Sequence, residues 1–120
     1  LQSAGIMLAV ASNKYHKATE KLVKHFFPEI QFVAVFGQRE GIAVKPDPTI
    51  IHDILAKAQV NRTEEVLYIG DSGVDMQTAQ NAGVEACGVT WGFRPRTELL
   101  EFSPRYIVDK AEEISSIIHL

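Results

Sequence analysis

The reading of the fold starts at VLYIGDSGVDMQTAQNAG, residues 66–83. An apolar run over 66–69 stops at Gly70, and Asp71 and Asp75 follow, four positions apart. A helical pattern of small residues then covers 74–82 and ends at Gly83, a residue suited to the left-handed position that closes a helix. A buried strand passing through a short acidic turn into a helix is half of a βαβ unit. The two acids have two readings. Ser72 or Asp71 could cap the helix, and Ser72-x-x-Asp75 has the form of a capping box with aspartate in place of glutamate. Acids in a first turn also gain from the helix dipole. Alternatively, the pair offers carboxylate oxygens to a hard cation such as Mg²⁺, which keeps waters or phosphate oxygens in its other octahedral positions. On these residues alone, both readings stand.

The remainder of the chain repeats the alternation of strand and helix. Short apolar runs occur at 6–11, 32–36, 86–90 and 106–108 as well as 66–69. They are near-continuous, as in strands buried on both faces of a parallel sheet. Between them, 14–27 place Tyr15, Ala18, Leu22 and Phe26 along one stripe with lysines opposite. Residues 48–58 put Ile50, Ile51, Ile54, Leu55 and Ala58 on one face, and 111–118 carry Ile114, Ile117 and Ile118. The most loop-like segment is 92–103, with an amphipathic piece at 97–102. This alternation predicts an α/β fold, layered, with a mostly parallel sheet and right-handed crossovers.

Composition narrows the function classes. At 120 residues there is chain enough for one core. A net charge of −3 with scattered lysines and arginines gives no electrostatic footprint for nucleic acid. The single cysteine, Cys87 in EACGVT, excludes an internal disulfide and any multi-cysteine metal site, and reads as a small buried hydrophobe. No apolar run approaches the ~20 residues of a membrane span. With no signal or lipidation motif in view, a cytoplasmic protein is expected.

In open α/β sheets, ligands collect at the carboxyl ends of strands. There the first three expected strands present ASNK, FGQREGIAVKPDP and GDSGVD, so a hydroxyl, a lysine and a carboxylate pair should face one edge. Ser12 and Asn13 could cap the next helix, or grip an anion with a hydroxyl and backbone N–H groups. Lys45 could be a solvated lysine or a point charge for phosphate; Pro46 biases it towards an extended conformation. Asp47 and Pro48 read as an N-cap and first helical residue. His16, His25, His52 and His119 share no ligand spacing and read as surface or packing residues. Trp91 and Phe93 could line a substrate entrance, but local packing is the simpler expectation.

In that order, LAVASNK (8–14), VKPDP (44–48) and VLYIGDSGVDMQTAQNAG (66–83) resemble the second, third and fourth motifs of the haloacid dehalogenase superfamily. The tail GVTWGFRPRTELLEFSPRYIVDKAEEI (88–114) is similar to the ends of phosphoglycolate-phosphatase-like members. The resemblance covers essentially the whole chain. It implies a Rossmann-like, three-layer core and a Mg²⁺-dependent phosphatase of a small phosphomonoester such as 2-phosphoglycolate. Its chemistry is phosphoryl transfer to an aspartate, then hydrolysis of the aspartyl-phosphate. By resemblance, Ser12 and the backbone near Asn13 bind the phosphoryl oxygens, and Lys45 neutralises phosphate and nucleophile. Asp71 would ligate Mg²⁺, and Asp75 would ligate it or orient its waters.

The superfamily's first motif, Asp-x-Asp, supplies the nucleophile and the general acid, and it has no counterpart among these residues. That motif belongs to the central strand of the family's sheet. Residues 1–120 are therefore expected to form a partial core domain without its middle strand. The 33 positions from Ser12 to Lys45 are used by one helix and one strand, so any cap domain is expected upstream of Leu1. Together with the absence of an initial methionine, this suggests the C-terminal portion of a longer phosphatase, inactive alone. A response-regulator receiver domain has similar parts, but places its acids first. A dinucleotide binder would need a G-x-G-x-x-G after a strand. The non-enzymatic alternative is a haloacid dehalogenase-like binding or interaction module. The expected partner is a small phosphorylated metabolite, with neither nucleic acid nor membrane.

Overall fold

Every ladder among the described residues, 5–92 and 94–118 of the computed structural model, is parallel. The α/β class is as expected. Phe93 and His119 lie outside the described residues. The chain divides into two compact units, Leu1–Asn61 and Arg62–Leu120. Among the described residues the strands form one two-stranded and one three-stranded sheet.

In the first unit, β1 (Ala9–Tyr15) leads through α1 (His16–Phe26) to β2 (Ala34–Gln38), and α2 (Thr49–Ala58) follows. The two strands pair from Ala9↔Ala34 to Ala11↔Phe36, and the register shifts before Tyr15↔Gln38. As its periodicity predicts, α2 buries Ile50, Ile51 and Ile54, with Leu55 and Ala58 half-buried. Asp47 anchors its start: Oδ1 accepts the Thr49 N–H at 2.9 Å and also the Thr49 hydroxyl. Pro48 occupies the cap position itself, one residue later than expected.

The Thr49 hydroxyl and N–H together hold the Asp47 carboxyl below its ordinary value of 3.8. A carboxyl with a lowered folded-state pKa contributes stability above its unfolded pKa and loses it as pH falls through the folded one. Asp47→Asn should therefore be less stable than wild type at pH 6, with the gap closing well below pH 3.8. Urea unfolding across that range checks this; a gap independent of pH contradicts it.

The face of α1 departs from expectation. Tyr15, Leu22 and Phe26 are 74%, 41% and 65% exposed, and Ala18 is exposed as well. The buried residue is Thr19, with His16 and Val23 half-buried at helical spacing on either side. The cause is the close approach of β2 at Gly37. A Cβ there would lie 2.5 Å from the Thr19 hydroxyl and 2.7 Å from the His16 Cα. The Gly37 N–H donates to His16 Nδ1 at 3.1 Å, and the Thr19 hydroxyl donates to the Tyr15 carbonyl at 3.1 Å. A tight backbone approach and its hydrogen bonds select a polar face. Burial of the apolar stripe does not decide it.

The second unit runs from a 3₁₀ turn (Thr63–Glu65) through β3 (Leu67–Gly70), α3 (Gly73–Ala82), β4 (Glu85–Val89), α4 (Arg96–Leu100) and β5 (Tyr106–Val108) to α5 (Glu112–Ile117). The sheet order is β3-β4-β5, with Gly70↔Gly88 and Val89↔Val108 in register. Cys87, Val89 and Val108 form a core cluster against which Ile114 and Ile117 of α5 pack. The thiol of Cys87 is fully buried, as expected, and burial pushes its pKa up. Gly83 closes α3 at φ +75°.

Among the described strands, burial on both faces is most complete in β4, whose residues run from half-buried to buried. Its sheet neighbours flank it on two sides. In β1 the positions are half-buried or exposed, and in β3 Ile69 is 42% exposed. Each of these strands pairs along one edge only among the described residues. Continuous apolarity thus marks the strands correctly but overstates the burial of those at a sheet edge.

Candidate functional site

The candidate residues fall in two groups, one in each unit. In the first, β1 continues to Tyr15, so Ser12 and Asn13 lie in the irregular last part of a strand and do not follow it. Neither caps α1, whose N-cap is Tyr15. Instead the Ser12 Oγ accepts the Lys14 N–H at 3.1 Å, a local turn bond. Asn13 reaches 32 residues along the chain: its Oδ1 accepts the Lys45 N–H at 3.0 Å. The Lys45 ammonium donates to the Ala11 carbonyl at 3.3 Å. Lys45 is thereby fastened through its backbone to Asn13 and through its side chain to Ala11, on either side of Ser12 in β1.

Lys45 itself lies in a turn and not along an extended edge. The Asp47 N–H closes that turn on the Val44 carbonyl at 3.0 Å, and the Lys45–Pro46 bond is cis.

In the second unit, the Asp71–Asp75 turn joins β3 to α3, and the two acids are treated differently. Asp75 is 8% exposed. Its Oδ1 accepts the Tyr68 hydroxyl at 3.1 Å; its Oδ2 accepts the Asp71 N–H at 3.1 Å and the Ser72 hydroxyl at 3.2 Å. Ser72 in turn caps α3 by accepting the Asp75 N–H at 3.2 Å. The capping-box reading therefore holds for Ser72 and Asp75, with the return bond made to the Asp71 N–H, one residue before the cap. Gly70 makes room for this: a Cβ there would overlap the Asp75 side chain. The Tyr68 hydroxyl has its pKa driven far up by burial first, then by the Asp75 charge and hydrogen bond. It remains a proton donor throughout the neutral range.

The Asp71 carboxylate is half-buried and receives no hydrogen bond from the described residues. It packs against the backbone of Gly92, just beyond β4, where a Cβ would overlap it. Among the described residues no group of three or more His, Cys, Asp or Glu side chains could hold a metal. The donor set still suits Mg²⁺, which is commonly held by one or two carboxylates with waters and substrate phosphate completing the shell. Trp91, next to Gly92, is 53% exposed, so it does not pack away as expected.

Three residues of this turn escaped the sequence reading. Tyr68 looked like one apolar member of a strand, and its role needs the pleat that turns it towards α3. Gly92 sat in a loop-like segment without a pattern. Glu98, whose Oε2 accepts the Gly73 N–H at 2.7 Å, comes from 25 residues away and left no local signal.

The sequence profile of the haloacid dehalogenase-like hydrolases matches residues 1–89. Phosphoglycolate phosphatases from Vibrio parahaemolyticus and Pectobacterium atrosepticum are 28% and 31% identical to this chain, each alignment covering 98% of it. The chain spans about half the length of the curated relatives it matches, 51% and 50% for these two. The crystal structure of a candidate phosphoglycolate phosphatase from Lactobacillus delbrueckii subsp. bulgaricus superposes with a TM-score of 0.89 at 36% identity. That match covers 98% of this chain and 48% of the other. No helix among the described residues is long and apolar enough to cross a membrane.

Proposed function

The chain belongs to the haloacid dehalogenase-like hydrolases, and from that membership we propose that it is the phosphate- and metal-handling part of a Mg²⁺-dependent phosphatase. The substrate is a small phosphomonoester of the 2-phosphoglycolate kind, the class for which the relatives are named. Transfer proceeds through an aspartyl-phosphate. The attacking aspartate comes from a segment other than these 120 residues, which contain no Asp-x-Asp. Ser12 and the backbone at Asn13 hydrogen-bond the phosphoryl oxygens, and Lys45 neutralises their charge. Asp71 holds Mg²⁺, with Asp75 orienting the turn and the waters around it. When bound, the ion stabilises charge on the transferring phosphoryl group. In such reactions the protein mostly positions groups and supplies fixed charge.

The observation that carries this reading is the unequal treatment of the two acids. Asp75 is held by three donors of the fold, whereas Asp71 receives none from the described residues. A half-buried carboxylate that the fold leaves unbonded has its oxygens available to a cation.

Hydrolysis of p-nitrophenyl phosphate by the intact protein tests the reading. Lys45→Ala should lower turnover roughly 10²-fold, the scale seen when one transition-state donor is removed. It should leave the protein folded, because a hydrogen bond from a charged group, such as the one to the Ala11 carbonyl, contributes only about 1.5–3 kcal/mol. Unfolding without a separable loss of turnover would make Lys45 a structural residue. Residues 1–120 alone should not turn over; robust Mg²⁺-dependent hydrolysis by them would refute the assignment of the nucleophile to another segment.

A further inference from the structure

The segment after β4 closes on the acidic turn at three points. Gly92 lies against the Asp71 carboxylate. The Glu98 Oε2 accepts the Gly73 N–H at 2.7 Å, and its Oε1 lies 3.7 Å from an Arg94 guanidinium nitrogen. The Phe102 ring approaches Gly73 so nearly that a Cβ there would sit 2.7 Å from Cε2. This segment is itself anchored. Leu99 is fully buried, and a Cβ on Gly88 of β4 would be 3.3 Å from its Cδ1. A five-residue helix has little stability of its own, so tertiary contacts hold α4 in place.

We propose that Gly92, Glu98 and Phe102 form a clasp that sets the position of Asp71, with Glu98 as its positioning residue. The inference rests on Asp71 being a metal ligand. The Gly73 N–H is among the first-turn donors that a helix leaves without an internal partner. An ionised carboxylate at short range is the strongest partner it can have. Fixing that N–H fixes the turn immediately after Asp71, while Gly92 limits where the Asp71 side chain can swing. Glu98 touches neither substrate nor metal. It acts through the geometry of the ligand, as residues behind a metal's direct ligands commonly do.

The test measures Mg²⁺ affinity of the intact protein by calorimetry, with amide exchange at Gly73 and turnover against Mg²⁺ concentration. Glu98→Ala should raise the Mg²⁺ Kd roughly tenfold, speed exchange at Gly73, and recover wild-type kcat at saturating Mg²⁺. Glu98→Gln keeps an acceptor oxygen and should restore the Kd to within about threefold, below the range typical for losing such a partner. If Glu98→Ala does not fold, Glu98→Asp, one methylene short of Gly73, should show the same rise. An unchanged Kd with unchanged exchange in Glu98→Ala, or in Glu98→Asp where that variant takes its place, overturns the clasp. So does a Glu98→Gln protein as weak as Glu98→Ala. Asp71→Asn run in parallel separates the two claims. If it binds Mg²⁺ like wild type, the metal assignment fails and the clasp with it; if it loses binding while Glu98→Ala does not, only the clasp fails.

Discussion

Asp71→Asn in the intact protein is expected to lose measurable Mg²⁺ binding and to cut phosphatase turnover roughly 10²–10³-fold, the range for removing one preorganised electrostatic contact from a transition state. Stability should hardly move. Asparagine matches the shape of aspartate against Gly92, and the wild-type carboxylate receives no hydrogen bond from the described residues that the change would break. Removing one of two neighbouring negative charges also relieves repulsion within the turn. Urea unfolding should place the variant within about 0.5 kcal/mol of wild type. The control is Asp47→Asn, which removes an acid bonded only within the start of α2. It should cost stability and leave turnover intact. Equal catalytic losses in the two variants would undo the division between a site acid and a capping acid.

The second large effect is on the scaffold. Gly70→Ala places a methyl group where the Asp75 side chain now lies. Overpacking of this kind costs about 1–3 kcal/mol, and a buried carboxylate pushed off its donors adds a penalty of similar size. A loss of roughly 3 kcal/mol is expected by denaturant titration. It should come with weakened Mg²⁺ binding, because the Asp71 N–H is one of the donors displaced. Gly83→Ala provides the comparison. That glycine has φ +75° and nothing within 4 Å of a Cβ, so the cost there is conformational, about 1–2 kcal/mol, without effect on metal. If Gly70→Ala proves no worse than Gly83→Ala, the packing of Asp75 against Gly70 is looser than described.

The contrast between these variants also shows what a sequence can and cannot reveal. The strands and α2 were legible because their signals are local: runs of apolar residues, and isoleucines at helical spacing. Gly83 was legible for the same reason. The α1 face was not, because its orientation is set by Gly37 on another element, and a backbone approach leaves no periodic trace. At the site, the resemblance gave Asp71 as the metal ligand and left Asp75 between ligating the ion and orienting its waters. Their division depends on Tyr68 hydrogen-bonding one of them and Gly92 packing against the other. Ser12, Asn13 and Lys45 were found as types, but the bonds that fasten Lys45 to Asn13 and Ala11 span more than 30 residues. Such contacts exist only once the chain has folded.

The central claim is that a hard cation is held by Asp71 at the end of β3. Paramagnetic broadening by Mn²⁺, titrated into the isotopically labelled intact protein, measures this directly. Mn²⁺ accepts the same oxygen ligands as Mg²⁺. The account predicts that amide signals of Asp71, Ser72 and Gly92 vanish first, and that excess Mg²⁺ restores them. Signals at Glu85 and Arg105, paired at 3.4 Å at the opposite end of the sheet, should persist at the same metal concentration. Broadening centred on Asp47 and Asp53 instead, or spread evenly over the acidic surface, would contradict it.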